Sequence, residues 1–222
     1  MRRFLYLFPG LLLATVVHAA PKPHVIAFGK WQTVKWFVGV DENQALDLKV
    51  RPLYVDTRVK EFTLGPPHEV TDRLLVVRRA FRLNDKLPDE AAPRWRWQRG
   101  GWLLVDRVTG RVTQLNLPEF DPGQSAAGWY RDYIAYCGVS DDGKKLYAIV
   151  AQLGRRKPIL RQPLGEPGTD GEPDCECAVP AWQRQPPRVT FEPEAGQKLT
   201  FTVRGRIVDL VSAEEETAEG PE

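Results

Sequence analysis

Apolar and polar side chains alternate along much of this chain with a period of two residues. Within 34–40, Val and Trp occupy every second position, and within 198–203 apolar residues alternate with Lys and Thr. That period is typical of a β-strand with one buried face. Between the breaks set by Gly and Pro, no segment repeats its apolar residues at three and four positions, as a helix would. The pattern predicts a protein built of strands, in which only residues 41–46 could form a helical turn.

Further strands are predicted wherever a short apolar or alternating run is bounded by turn residues. These segments are 47–55, 58–64, 73–83, 94–98, 102–107, 111–117, 132–139, 145–152, 157–161, 187–192 and 206–211.

Short turn signals separate many of these strands. Four Gly-containing dipeptides, at 100–101, 109–110, 142–143 and 204–205, place Gly where a tight turn needs a positive φ. Consecutive hairpins pair their strands antiparallel. The chain is therefore predicted to be all-β, an antiparallel meander of short hairpins with a propeller-like or sandwich-like arrangement and almost no helix.

Two neighbouring pieces of the chain resemble part of a β-propeller. Residues 102–112 (WLLVDRVTGRV) look like the end of one blade, and residues 139–147 (VSDDGKKLY) look like the start of the next. In such blades the Asp-x-x-Thr-Gly and Ser-x-Asp-Gly-Lys pieces are hairpin turns, so the resemblance of residues 102–150 implies architecture and no chemistry. The chain as a whole is similar to uncharacterised secreted bacterial proteins, a resemblance that implies no particular function.

Residues 1–19 have the three parts of a secretory signal peptide. Two Arg near the start supply positive charge, residues 4–17 are mostly apolar, and Ala19 stands at the cleavage position. Cleavage after Ala19 is expected because a cut one residue later would place Pro21 directly after the scissile bond. An uncleaved anchor would need ~20 apolar residues, and this run is shorter. We predict export to the periplasm or the extracellular space, without stable membrane insertion after cleavage.

The rest of the chain is expected to form a single β domain over 20–211, with a Pro-rich loop at 163–187. Residues 212–222 contain five Glu and no Lys or Arg, a composition typical of a disordered tail. Beyond residue 19 the chain carries 29 basic and 29 acidic side chains. This neutral balance disfavours nucleic-acid binding, which needs clustered excess cations. No cofactor or metal ion is predicted.

The three cysteines predict one disulfide bond, because an exported protein folds in an oxidising space. Cys175 and Cys177 are too close in the chain to bridge each other easily. Cys137 is therefore expected to pair with one of them. Cys177 is favoured over Cys175, because acidic residues flank Cys175.

The segment 94–102 (RWRWQRGGW) is the strongest candidate for a binding surface. On a strand, Trp95 and Trp97 share one face while Arg94 and Arg96 share the other. Two alternatives follow: the indoles of these residues and of Trp102 are buried as core anchors, or they form an exposed platform that stacks against sugar rings beside cationic Arg.

The observations together favour an exported binding or scaffold protein, with an envelope protein or a glycan as its partner, over an enzyme. Few His, Ser and Cys residues converge in positions suited to catalysis. The alternative is a glycan-directed hydrolase or carbohydrate-binding module, which would use exposed Trp and paired carboxylates across a cleft.

Overall fold

The computed structural model describes residues 22–37, 45–88, 91–164, 177–193 and 198–211. Within these ranges every regular element is a β-strand, so the all-β prediction is confirmed. The strands are β1 (Ile26–Phe28), β2 (Gln32–Phe37), β3 (Ala45–Val55), β4 (Arg58–Glu69), β5 (Leu74–Asn84), β6 (Trp95–Asp106), β7 (Arg111–Gln114), β8 (Ala127–Tyr130), β9 (Tyr133–Val139), β10 (Leu146–Gln152), β11 (Leu160–Pro163), β12 (Ala181–Arg184), β13 (Pro187–Phe191), β14 (Leu199–Arg204) and β15 (Ile207–Leu210).

Three sheets follow one another along the chain. The first holds β1 to β7 in the order β1-β3-β2-β6-β5-β4, with β7 on β6 and an additional pairing of β3 with β4. The second sheet has the order β11-β10-β9-β8, and the third runs β12-β13-β14-β15. The last four strands of the first sheet, β4 to β7, also pair in sequence. Three successive antiparallel meanders, of four strands each, therefore make up residues 58–210.

The first strands of these meanders lie close together. The His68 ring, near the end of β4, donates from Nε2 to the carbonyl oxygen of Arg131, just after β8, at 2.8 Å. On the other side of β8, the Trp182 indole of β12 donates to the carbonyl oxygen of Gly128 at 3.1 Å. β8 is therefore the strand at which all three sheets meet.

Three of the four predicted Gly turns are confirmed. Gly110, Gly143 and Gly205 have φ values of +64°, +71° and +62° and lie in the β6–β7, β9–β10 and β14–β15 connections. Gly reaches these values without the Cβ clash that other residues suffer. The two propeller-like pieces thus form hairpin turns in the first and second sheets.

The hairpin predicted at Gly100-Gly101 is wrong. β6 runs without interruption from Trp95 to Asp106, and the two glycines lie inside it, where the pairing with β5 shifts register. A Cβ on Gly100 would come within 2.9 Å of the Cβ of Arg79. Glycine is needed here for close approach of two strands at a bulge, not for a turn.

Other strands and limits differ from those predicted. β1, β8 and β12 were not predicted because each has only three or four residues and little alternation. β12 lies within the predicted Pro-rich loop 163–187, which is therefore shorter than expected. Residues 41–44 of the predicted helical turn lie outside the described residues, and Ala45 and Leu46 belong to β3. The predicted signal peptide and acidic tail also lie outside them.

Apolar clusters hold the sheets together. Between the second and third sheets the buried core includes Ala135, Val150, Phe191 and Phe201. Between the first and second sheets it includes Val76, Trp102, Tyr136 and Ile149. Full burial of each such large side chain contributes about 1.5 to 3 kcal/mol. Two further clusters lie within the first sheet, which is curved enough to enclose them.

Cys137 on β9 and Cys177 lie at disulfide distance, with their Cα atoms 6.3 Å apart. This confirms the preferred pairing, and Cys175 lies outside the described residues. The bond joins the second sheet to the segment that leads into the third. In the ranges given above, no helix has the length and apolarity to cross a membrane.

Candidate functional site

Two clefts lie on either side of an aromatic wall at the meeting point of the sheets. The wall consists of His68, near the end of β4, and Trp129 of β8. Their rings stack with a centroid distance of 5.7 Å and an interplanar angle of 23°. Trp129 in turn meets Trp102 of β6 edge to face, at 5.3 Å and 70°. Both His68 and Trp129 line each cleft.

The first cleft, here named the arginine–tryptophan cleft, has a volume of about 600 Å³. Its lining combines apolar walls with cations. The lining residues are Leu48, Lys49, Leu64, Gly65, Pro66, Pro67, His68, Arg78, Arg99, Trp102, Ala126, Ala127, Trp129 and Val179. No Asp or Glu is present among these described residues, so the cleft is positively charged.

A β-bulge brings the key side chains of this cleft to one face. Arg78 lies directly opposite Trp102, and Ala80 lies directly opposite Arg99, with the register shift between the two pairs. Directly opposite residues project to the same face of a sheet. Arg99 and Trp102 are three residues apart, so a regular strand would send them to opposite faces. The extra residue taken up by the bulge places both beside Arg78.

The two guanidinium groups share an unfavourable environment. Burial and, to a smaller extent, the positive charge of Arg99 lower the pKa of Arg78 to about 10, and the negative charge of Asp121 opposes this shift. Arg78 donates to the carbonyl oxygens of Pro122 at 2.6 Å and Gly100 at 3.4 Å. Arg99 lies 3.9 Å from the ring centroid of Trp36, and burial lowers its pKa as well. Within the described chain neither cation forms an ion pair, and the charge of Asp121 offsets only part of this cost for Arg78.

Two of the tryptophans that line the arginine–tryptophan cleft have N–H groups without partners in the part of the chain that the structure describes. The indole Nε1 atoms of Trp102 and Trp129 are buried and have no acceptor among the described residues. Leaving a buried N–H unpaired costs about 1 to 3 kcal/mol, so native proteins keep few of them. The cleft thus combines two guanidinium groups with apolar walls, and the two unpaired indole N–H groups are buried within the aromatic side chains that form those walls. That set is complementary to an anion attached to an apolar or ring-shaped body.

The second cleft, here named the junction cleft, has a volume of about 710 Å³ and is formed by all three sheets. Tyr130 and Trp182 stack there, with ring centroids 5.4 Å apart and planes at 27°. The remaining lining residues are His68, Glu69, Val70, Trp129, Arg131, Arg184, Gln185 and Pro187. The lining of the junction cleft therefore combines aromatic rings with polar and charged side chains.

The junction cleft also carries uncompensated positive charge. Both carboxylate oxygens of Glu69 accept hydrogen bonds from Arg107, at 2.7 and 2.8 Å, and this pairing raises the pKa of Arg107. Arg131 and Arg184 form no ion pair with any residue that the structure describes. Because Glu69 is already neutralised by Arg107, these two cations set the sign of the cleft.

Of the five residues predicted for ligand binding, Trp102 alone lines either cleft in the described structure. Trp95 is 58% exposed, and Trp97 is half-buried against Phe62 with a centroid distance of 5.1 Å. Both indoles face the guanidinium of Arg82, at 5.8 and 5.6 Å. The predicted alternation is confirmed, but these two indoles lie apart from Trp102.

Arg94 and Arg96 have structural partners. Both guanidinium groups contact Asp85, Arg94 at 3.5 Å and Arg96 at 3.0 Å, and Arg96 is buried. At this end of β6 the buried side chain is Arg96, which is paired with Asp85, and the exposed one is Trp95.

Arg78, Arg99 and Trp129 are not among the predicted site residues, although Arg99 lies within segment 94–102. The three residues lie on β5, β6 and β8, so no single short motif contains all of them. Comparison of the chain with protein-family models, with curated proteins and with solved structures gives no match in any of the three. The site is therefore interpreted from its own geometry.

Proposed function

We propose that this protein is an exported binding protein and that its arginine–tryptophan cleft binds an anion attached to an apolar or ring-shaped body. The observation that carries the proposal is the pair of neighbouring guanidinium groups, Arg78 and Arg99, in a cleft with no carboxylate among its described lining residues. A carboxylate bound between them would replace mutual repulsion with two charge-assisted hydrogen bonds.

Export is part of the proposal. Residues 1–19 are expected to direct secretion and to be removed after Ala19. The Cys137–Cys177 pair supports an oxidising compartment, where disulfides persist. The intact mass of the protein recovered from the periplasm or medium should correspond to a chain that begins at Ala20. A mass that includes the leader would contradict this.

Binding is favoured over glycan hydrolysis by the state of the acidic residues. A glycosidase needs two carboxylates facing each other across a cleft, one of them with a raised pKa. Glu119, Asp121 and Asp141 line a third cleft, of about 440 Å³. Glu119 accepts two hydrogen bonds from Arg161, at 2.8 and 2.6 Å. The Asp121 carboxylate accepts from the backbone N–H groups of its own turn. These two carboxylates therefore have structural roles.

A fragment titration tests the binding proposal. Benzoate and its neutral analogue benzyl alcohol have the same ring but differ in charge. In ¹H–¹⁵N spectra, benzoate should shift the indole N–H signals of Trp102 and Trp129, assigned through Trp→Phe variants. A hydrogen bond to a charged group is worth about 1.5 to 3 kcal/mol, so benzyl alcohol should bind roughly ten to a hundred times more weakly.

The matched variants for this titration are Arg99→Gln and Arg82→Gln. Arg99 lines the cleft, whereas Arg82 is an exposed arginine over Trp95 and Trp97, outside it. R99Q should weaken benzoate binding at least tenfold, and R82Q should leave it unchanged. Equal binding of benzoate and benzyl alcohol, or an R99Q protein that binds benzoate normally, would overturn the proposal.

A further inference from the structure

We infer, on the basis of the proposed function, that the ligand is a linear acidic oligosaccharide. One of its carboxylates would bind Arg78 and Arg99 in the arginine–tryptophan cleft, and a second would bind Arg131 and Arg184 in the junction cleft. The observation behind this inference is that two cationic clefts adjoin across a single shared wall, His68 and Trp129.

Arg131 is the first residue of the two-residue turn between β8 and β9. Arg131 has a φ of +53°, a left-handed conformation that favours Gly or Asn over Arg. The hydrogen bond from His68 to the Arg131 carbonyl oxygen holds this conformation. The side chain lines the cleft, and its guanidinium lies 5.3 Å from the centroid of the Tyr130 ring.

The wall also connects the two clefts physically. His68 stacks on Trp129 on the side of the arginine–tryptophan cleft and donates to Arg131 on the side of the junction cleft. Two arginines therefore line each cleft, Arg78 and Arg99 on one side and Arg131 and Arg184 on the other. A single small anion would contact the two arginines of one cleft and leave the positive charge of the other cleft uncompensated. A chain with repeated carboxylates would use both.

The aromatic side chains favour sugar rings over nucleobases. Tyr130 and Trp182 stack on each other, and Trp129 stacks on His68. One face of each of these rings is therefore already covered by another ring. Single-stranded nucleic acid binds by stacking its bases on free aromatic faces. A sugar can instead contact ring edges and the polar side chains of the junction cleft, because it offers C–H groups and hydroxyls around its perimeter. The neutral charge balance beyond residue 19 also disfavours a polyphosphate chain.

Two linked carboxylates should bind more tightly than one. Once the first is held, the second binds in an intramolecular step, and such linkage raises affinity by about 10²- to 10⁴-fold where the geometry permits. A chain of uronic acids therefore has an affinity that increases with length. A ligand confined to the arginine–tryptophan cleft does not show this increase.

Calorimetric titration with galacturonate, its trimer and its hexamer tests the inference. The fully methyl-esterified hexamer is the neutral control of equal length. Affinity should increase at least tenfold from monomer to hexamer, and the esterified hexamer should bind at least tenfold more weakly than the acid. In the double variant Arg131→Gln/Arg184→Gln, the ratio of hexamer to monomer affinity should fall close to one. In R82Q the ratio should stay at the wild-type value. Circular dichroism and melting temperature confirm that each variant is folded.

The outcomes separate the two proposals. If hexamer and monomer bind equally, or if the double variant keeps the wild-type ratio, the oligosaccharide inference fails while the benzoate result still stands. If hexathymidylate or hexaglutamate binds more tightly than the galacturonate hexamer, the saccharide assignment is wrong. If neither benzoate nor galacturonate depends on Arg99, the proposed function itself fails.

Discussion

At the scale of single residues, position on the strand decides what each tryptophan of segment 94–102 does. Trp102 is 8% exposed and packs between the first and second sheets, whereas Trp95, seven residues earlier on the same strand, is 58% exposed. Both residues are tryptophans, and both lie on β6. The difference is that a second sheet covers the Trp102 end of β6.

Substitution of these two tryptophans should separate core from surface. Trp102→Ala leaves a cavity in the shared core and should lower the free energy of unfolding by about 3 to 5 kcal/mol. Trp95→Ala removes an exposed side chain and should change it by no more than about 0.5 kcal/mol. Urea denaturation followed by circular dichroism measures both. Similar losses in the two variants would contradict the burial described here.

Asp106 provides a pH-dependent test. Arg73 donates to the Asp106 carboxylate, with Nε 2.9 Å from Oδ1, and the backbone N–H of Val108 donates to the same oxygen at 2.8 Å. These bonds hold the pKa of Asp106 well below its usual value of about 3.9. A carboxyl whose pKa is lowered by folding stabilises the protein above its unfolded pKa. This stability is lost as the pH falls through the folded pKa.

Asp106→Asn should therefore lower the melting temperature at pH 7, and its deficit against the wild type should shrink as the pH falls below about 4. Asp209→Asn, on the exposed strand β15, is the control and should change little at either pH. Differential scanning calorimetry from pH 7 to pH 2 provides the comparison. A deficit for D106N that stays constant over this range would show that the charge of Asp106 does not stabilise the hairpin.

At the scale of elements, the sequence predicts what is determined locally. Gly110, Gly143 and Gly205 form turns because glycine adopts a positive φ without steric cost, whatever its tertiary contacts. Gly100-Gly101 also contains glycine, but it lies inside a strand. There the close approach of Arg79 on β5, and not a turn, requires glycine. The arrangement of the arginine–tryptophan cleft also depends on how the strands pair. Period-two alternation sends Arg99 and Trp102 to opposite faces, and only the bulge in the β5–β6 register brings them together.

The bulge can be tested at its two glycines. A Cβ at Gly100 would lie 2.9 Å from the Cβ of Arg79, whereas at Gly101 the nearest described atom is Nε2 of Gln114 at 3.7 Å. Gly100→Ala should therefore destabilise the protein by about 1 to 3 kcal/mol and weaken benzoate binding, because β5 and β6 must separate beside Arg78 and Arg99. Gly101→Ala should be tolerated. Equal effects of the two substitutions on the urea midpoint would rule out this account of the bulge.

At the scale of the whole molecule, the second sheet connects the other two. It shares one apolar cluster with the first sheet and another with the third, and β8 hydrogen-bonds toward both β4 and β12. Both proposed clefts depend on this arrangement, because Trp129 of β8 lines each of them. Any loosening of the third sheet should therefore affect the junction cleft, which Trp182 and Arg184 help to form.

The Cys137–Cys177 bond is the covalent part of that connection, and it closes a loop with a sequence separation of 40 residues. The chain-entropy relation assigns a loop of this length about 4 kcal/mol, so Cys177→Ala should lower the free energy of unfolding by roughly that amount. Because β12 follows Cys177 directly, hydrogen exchange in β12 and β13 should accelerate more than in β5. Cys175→Ala is the control and should leave stability unchanged. The opposite result, with C175A destabilised and C177A not, would move the bridge to Cys175.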